Sequence, residues 1–226
     1  MKGEPLMTQA IMETVFDVLY LVGVIVAGAR MVAGSQKGSL TQKFGIMAIV
    51  LGSGDAFHLI PRMWALWTTG MQANAAALGF GKLVTSLTMT VFYLILYSIW
   101  RQRYGVTGRK TLTVSLWSLA ILRAALCLLP QNEWFTEPQP LLFGILRNIP
   151  FAVMGAIIIV LYAQEAKKAN DGIFRWMWLA VLLSFAFYIP VVLFSASVPA
   201  VGMLMIPKTL AYAWIVWMGW KLFQQK

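Results

Sequence analysis

Residues 83–110 read LVTSLTMTVFYLILYSIWRQRYGVTGRK, an uncharged apolar run that stops at a connection carrying Arg101, Arg103, Arg109 and Lys110. At about 1.5 Å of rise per helical residue, such a run is long enough to cross a ~30 Å hydrocarbon layer. The cations at its end mark where the helix returns to water. The rest of the chain repeats this pattern. Apolar runs occupy Ala10 to Gly34, Phe44 to Thr69, Ala76 to Trp100, Thr111 to Pro130, Pro140 to Ala163, Phe174 to Ala196 and Pro199 to Phe223. The sequence therefore predicts an all-α integral membrane protein of seven transmembrane helices.

Composition points the same way. Of 226 residues, 60% are hydrophobic and 12% charged, far from the usage of a soluble domain. Seven spans of ~20 residues consume nearly the whole length, so one domain over 1–226 is expected and no soluble domain is left over. A single cysteine, Cys127, excludes an intrachain disulfide framework or a multi-thiolate metal site. The net charge of +10 does not imply nucleic acid, because the basic residues are scattered among the connections. The start of the chain lacks a basic segment followed by a short apolar core and a small-residue cleavage site, so it reads as the first span.

The connections alternate. Arg30, Lys37 and Lys43 mark the first, Arg101 to Lys110 the third, Lys167, Lys168 and Arg175 the fifth, and Lys221 and Lys226 the tail. The second, fourth and sixth contain no Lys or Arg. By the positive-inside rule the N-terminus is expected outside and the C-terminus in the cytoplasm. The basic inner loops and the brevity of the chain suit a bacterial plasma membrane.

Within the spans, Asp55-Ala-Phe-His-Leu-Ile-Pro61 resembles Ser184-Phe-Ala-Phe-Tyr-Ile-Pro190, and laying one on the other brings Lys82 near Lys208. Two three-helix units, 10–100 and 140–223, joined by the helix 111–130, would form a parallel three-one-three repeat. That topology resembles the seven-helix transporters of the SWEET and PnuC type, and more distantly the transporter and opsin-like superfamily. Pro130-Gln131 and Pro138-Gln139 do not match the membrane placement of the PQ-loop motif, so the resemblance carries no binding residue onto this chain.

Ionisable residues inside the spans are the functional signal. Arg62, Lys82, Arg123, Arg147 and Lys208 accompany Glu13, Asp17 and Asp55 and the one histidine, His58. A charge at membrane depth costs at least ~2.5 to 3.5 kcal/mol, so such residues face a bundle interior or wet cavity. All but Asp55 are expected in the outer half of the bilayer, within ~15 Å of the interface, with Asp55 near the midplane. Asp55, His58 and Arg62, at i, i+3 and i+7, line one face of the second helix. Pro61, Pro150, Pro190 and Pro207 fall at the same depth, where each can kink a helix and free carbonyls toward a cavity.

Five cations against three anions favour an anionic or zwitterionic guest. The expected reading is a small transporter or solute-binding protein with an outward-facing charged vestibule. Arg62, Lys82, Arg123, Arg147 and Lys208 would hold the anion, Asn148 and Tyr188 would supply neutral hydrogen bonds, and Asp17, Asp55 and His58 would carry a coupling proton or ion pairs. The alternative for these charges is pairing among themselves, and Glu13 reads as a side chain snorkelling to the interface. The expected partners are the lipid bilayer and the solute, with no catalytic residue, cofactor or metal.

Two other classes fit the sequence. An intramembrane enzyme acting on a lipid or polyprenyl phosphate would use His58 and Asp55 as acid and base, and would need a lateral gap toward the bilayer. A receptor or sensor would need a signalling partner. An opsin-like variant with Lys208 as the retinal lysine lacks a carboxylate in the third span. Gly52-Ser-Gly54-Asp55 reads as close helix packing rather than a serine-protease nucleophile, since His58 is on the same helix. Trp64, Trp67, Trp100 and Trp134 are expected in an interfacial belt, and Trp214, Trp217 and Trp220 on one face of the last span.

Overall fold

A computed structural model describes residues 4–136, 138–195 and 197–225. Ala196 and Lys226, expected to bound the sixth run and the tail, lie outside the described residues. The elements are α1 (Glu4–Ala33), α2 (Leu40–Trp67), a one-turn α3 (Gly70–Ala73), α4 (Ala75–Arg103), α5 (Lys110–Leu128), α6 (Leu141–Lys168), α7 (Met177–Phe194) and α8 (Met205–Gln224), with no strand among the described residues. Seven of them, all but α3, are long and apolar enough to cross a membrane.

The seven spans form a ring in chain order. Each packs on the next, α8 returns to α1 and closes the circle, and α4 to α6 and α2 to α8 make contacts across it. Lipid is as apolar as the side chains, so no hydrophobic force drives these helices together; close packing and hydrogen bonds must do so. Glycines provide the close packing. A Cβ on Gly45 would lie 2.7 Å from the carbonyl oxygen of Gly28, which puts α1 and α2 backbone to backbone. One on Gly81 would lie 2.6 Å from the Cα of His58, joining α2 to α4 in the same way. Gly52 meets Ile25 of α1 and Gly54 meets Thr88 of α4, while the Thr85 hydroxyl donates to the Gly54 carbonyl at 2.9 Å. The Gly-Ser-Gly motif thus serves helix packing.

Toward the basic end the interior is a block of aromatic rings. Trp100 Nε1 donates to the Leu161 carbonyl at 3.1 Å, and the Tyr162 hydroxyl donates to the Leu96 carbonyl at 3.0 Å, so α4 and α6 are cross-linked twice. Two tryptophans expected in the interfacial belt are therefore interior. Trp100 is fully buried, and Trp134 is buried with Nε1 donating to the Cys127 carbonyl at 2.8 Å. Each indole N–H found a carbonyl within the protein, so these two rings are covered by the bundle rather than exposed to the headgroups. Trp64 and Trp67 are exposed as expected, with Trp67 donating to Thr14 at 2.8 Å.

The ends of the spans follow local chemistry. Ser39 caps α2, accepting from the Gln42 N–H at 3.3 Å, so the helix begins at Leu40 rather than at the apolar Phe44. Residues Pro199–Leu204 form a 3-10 segment before α8. Pro207 consequently sits in the first turn of α8, where its missing N–H costs nothing, and it does not kink the span as expected. Pro61, Pro150 and Pro190 are inside helices.

Candidate functional site

The helices bring part of the charged layer to the centre of the ring and leave the rest in separate contacts. Arg123, on α5, is 2% exposed, and its guanidinium carbon lies over the Phe151 ring of α6 at 3.4 Å from the centroid. Tyr93 of α4, Tyr188 of α7, Tyr212 of α8 and Cys127 are close enough to act on its charge, and the Cys127 sulfur meets it as a weak acceptor. Its Nε and Nη1 nevertheless have no hydrogen-bond partner among the described residues. Cation–π attraction to Phe151 contributes ~2 kcal/mol in a dry site, against a desolvation cost of several kcal/mol for the charge.

Lys208 enters from the first turn of α8 and is 8% exposed. Its Nζ lies 4.9 Å from the Tyr188 ring centroid and 5.6 Å from that of Tyr212, within electrostatic reach of Arg123 and Asp55. Asp55 Oδ2 accepts from the Tyr20 hydroxyl of α1 at 2.7 Å. The centre therefore assembles two cations, one carboxylate and a wall of phenols from α1, α2, α4, α5, α7 and α8. Two cations against one carboxylate leave a surplus positive charge in a low-dielectric space.

The other predicted residues are placed as follows. Arg62 pairs with Glu13, its Nε and Nη2 both 2.9 Å from Oε2, so Glu13 is an ion-pair partner rather than a snorkelling side chain. Asp17 is buried beside that pair and near Asp55. Arg147 Nη1 donates to Asn132 Oδ1 at 2.7 Å, with its guanidinium 4.2 Å from the Trp134 ring centroid. Asn148 and Tyr188 bond to each other, the hydroxyl donating to Oδ1 at 3.1 Å, while Asn148 Nδ2 donates to the Gly144 carbonyl at 2.8 Å. His58 is close to Lys82, Arg62 and Lys208, and its Nδ1 is buried with no partner among the described residues. No group of three metal-ligating side chains occurs among the described residues.

Four contributors were not singled out from sequence. Tyr20, Tyr93 and Tyr212 wall the centre, and a tyrosine deep inside an apolar run was the available signal, since its hydroxyl needs a partner there. Asn132 is the fourth. It is fully buried and donates to the carbonyls of Leu126 and Leu129 at 2.7 and 2.8 Å, folding the connection after α5 back over the end of that helix.

Comparison of the chain with known protein families, with curated proteins and with solved structures yields no match.

Proposed function

We propose that this integral membrane protein binds a small anionic or zwitterionic solute between Arg123 and Lys208 and carries it across the bilayer. The buried guanidinium of Arg123, with two nitrogens that find no acceptor among the described residues, carries the reading. An anion there would accept a charge-assisted bond from Nε or from Nη1, which lie on different edges of the guanidinium. Lys208 would neutralise the second charge, and the Tyr93 and Tyr212 phenols would supply neutral donors. Asp55, beside Lys208 and bonded to Tyr20, would hold the coupling proton. Two of the remaining cations take other roles: Arg62 ties α2 to α1 through Glu13, and Arg147 fastens the connection after α5.

The contrast between Lys208 and Arg62 is the test. Titrating an anion panel into the purified protein is expected to raise the melting temperature of the parent and of Arg62→Gln alike. Lys208→Met is expected to weaken that binding about 10- to 150-fold, the worth of a charged hydrogen bond of ~1.5 to 3 kcal/mol. Anion uptake into proteoliposomes should fall in parallel. The reading is dropped if no anion stabilises the parent, or if Arg62→Gln loses as much affinity as Lys208→Met.

A second reading is an enzyme acting on a lipid or polyprenyl phosphate, and one observation favours it. A groove between α1 and α8 opens toward the bilayer and is walled in part by Tyr20, the residue bonded to Asp55. Turnover of a lipid phosphate lost in Asp55→Asn, without uptake of any small anion, would establish this class.

The orientation we propose has the N-terminus outside and the basic connections in the cytoplasm of a plasma membrane. Gln131 and Lys168 are both exposed, on opposite ends of the bundle. In intact cells an impermeant thiol reagent should label Gln131→Cys and miss Lys168→Cys. The reverse pattern inverts the protein.

A further inference from the structure

On the basic side of the bundle, α8 carries two hollows, one on each flank of Trp217. The first, of about 360 Å³, lies between the start of α7 and the end of α8, walled by Trp176, Trp214 and Trp217 with Lys221 and Gln225 at its rim. The second, of about 320 Å³, is the apolar groove against α1, lined by Leu19, Gly23, Ala27, Val216 and Trp220. Trp217 is 50% and Trp176 44% exposed, so both rings lie on the outer surface of the bundle. From Ala213 to Gln224 the helix rises about 16 Å, the depth of one leaflet of a ~30 Å hydrocarbon core. The hollows together run from headgroup level to the bilayer centre.

Their rim is cationic and rigid. Lys221 Nζ lies 5.8 Å from the Trp217 ring centroid, and the Arg175 guanidinium 5.1 Å from that of Trp176. Lys167 and Lys168 are exposed in the last turn of α6, which leads into the same connection. The neighbouring acids do not neutralise these charges: Asp171 is bonded to Arg103 and Tyr104, and Glu165 lies 4.0 Å from Arg109. Asp171 also accepts from the N–H groups of Ile173 and Phe174 at 3.0 and 3.1 Å, which holds the segment bearing Arg175 and Trp176 against the bundle. An aromatic-walled cleft with unneutralised cations at headgroup level is complementary to one class of occupant.

We propose that this face binds an anionic phospholipid of the leaflet on the basic side. Its phosphate sits at Lys221 and Arg175, and its acyl chains lie on either flank of Trp217. The cations select a headgroup of net negative charge over a zwitterionic one, and the tryptophan ridge sets the register of the chains. The inference does not depend on the solute site at Arg123, which lies toward the other end of α8, and variants of the two sites are read separately.

Native mass spectrometry and melting curves in detergent, with phosphatidylglycerol and phosphatidylcholine of identical chains, test it. Phosphatidylglycerol is expected to stay bound and raise the melting temperature at concentrations where phosphatidylcholine does neither. Lys221→Gln and Arg175→Gln should each weaken phosphatidylglycerol binding about fivefold, and together roughly 25-fold, at the usual worth of a basic residue near an anionic surface. Both side chains are exposed, so the variants should melt with the parent in phosphatidylcholine, and Lys221→Arg should restore binding. Lys37→Gln and Lys110→Gln, exposed cations on other connections of the same side, should leave it unchanged. Equal binding of the two lipids overturns the proposal, as does an unaltered affinity in the double variant or an equal loss in Lys37→Gln. Stabilisation by glycerol 3-phosphate as strong as that by phosphatidylglycerol would mean a free phosphate site and overturn it too.

Discussion

Arg123→Met is expected to fold with a stability within about 2 kcal/mol of the parent, and to weaken anion binding about 10- to 150-fold. The two effects have separate causes. Replacing a buried, unneutralised charge by an apolar side chain of similar length removes its desolvation cost, and such replacements are often neutral or stabilising. Against this stands the lost stacking on Phe151, at 3.4 Å the closest cation–π contact of the bundle, worth ~2 kcal/mol when dry. The remaining cation, Lys208, also gains from the loss of its like-charged neighbour. Affinity has no such compensation, because an anion that accepted from the guanidinium finds no donor on methionine. Arg123→Lys should keep the charge yet lose most of the affinity, since an ammonium has no planar set of donors and cannot stack on the ring. Melting curves and calorimetric titration of the anion panel check both statements. Collapse of Arg123→Met to aggregated protein would show that the guanidinium ties the helices together, and the solute reading would lose its basis.

The second large effect is expected outside the membrane, at Asp171. Its carboxylate receives Arg103 Nε at 2.9 Å, Arg103 Nη2 at 3.1 Å, the Tyr104 hydroxyl at 3.1 Å and two backbone N–H groups, and its side chain is 2% exposed in the ion pair. Burial alone would raise the carboxyl, but the hydrogen bonds from Arg103, Phe174 and Ile173 and the charge of Arg103 outweigh it and hold the group below its ordinary value. The Tyr104 phenol is pushed the other way by burial and by the adjacent carboxylate, so it stays protonated and donates throughout the working range of pH. Asp171→Ala strands these donors and should cost about 3 kcal/mol, toward the lower end of the cost of breaking a buried pair because Arg103 remains partly solvated. Asp171→Asn, which keeps one acceptor oxygen, should cost less.

The pH dependence follows from the direction of the shift. A carboxyl depressed in the folded state contributes its full stability above the unfolded value near ~3.9, and loses it as pH falls through the lower folded value. Parent and Asp171→Ala should therefore differ in melting temperature by a constant amount from neutral pH down to about 5, and converge in stronger acid. A difference that persists unchanged at low pH would mean that the backbone contacts of the turn, not the charge, stabilise this end of the bundle. Loosening the turn should also weaken the lipid site, since Arg175 and Trp176 are carried on it.

Linear sequence determined the seven spans because the bilayer imposes one requirement on each, a long uncharged helix, and runs such as Leu83 to Trp100 satisfy it without reference to any other part of the chain. It also determined that Arg123 and Lys208 lie inside spans, and hence that each needs a partner or a guest. Which of these it is depends on azimuth and distance between helices, which only packing decides. The approach of α1 and α2 through Gly28 and Gly45 is the same packing that brings Arg62 to Glu13, whereas α5 presents Arg123 to an aromatic ring and phenols, with two of its nitrogens unpartnered among the described residues. The same packing moved Trp100 and Trp134 from the expected interface to interior carbonyls. At Pro207 the deciding feature was the 3-10 segment before α8, which shifted the start of the helix and turned an expected kink into an ordinary first-turn proline. Depth in the membrane is a one-dimensional property and is written in the order of residues; a binding site is three-dimensional, and arises where separate helices aim their side chains at one point.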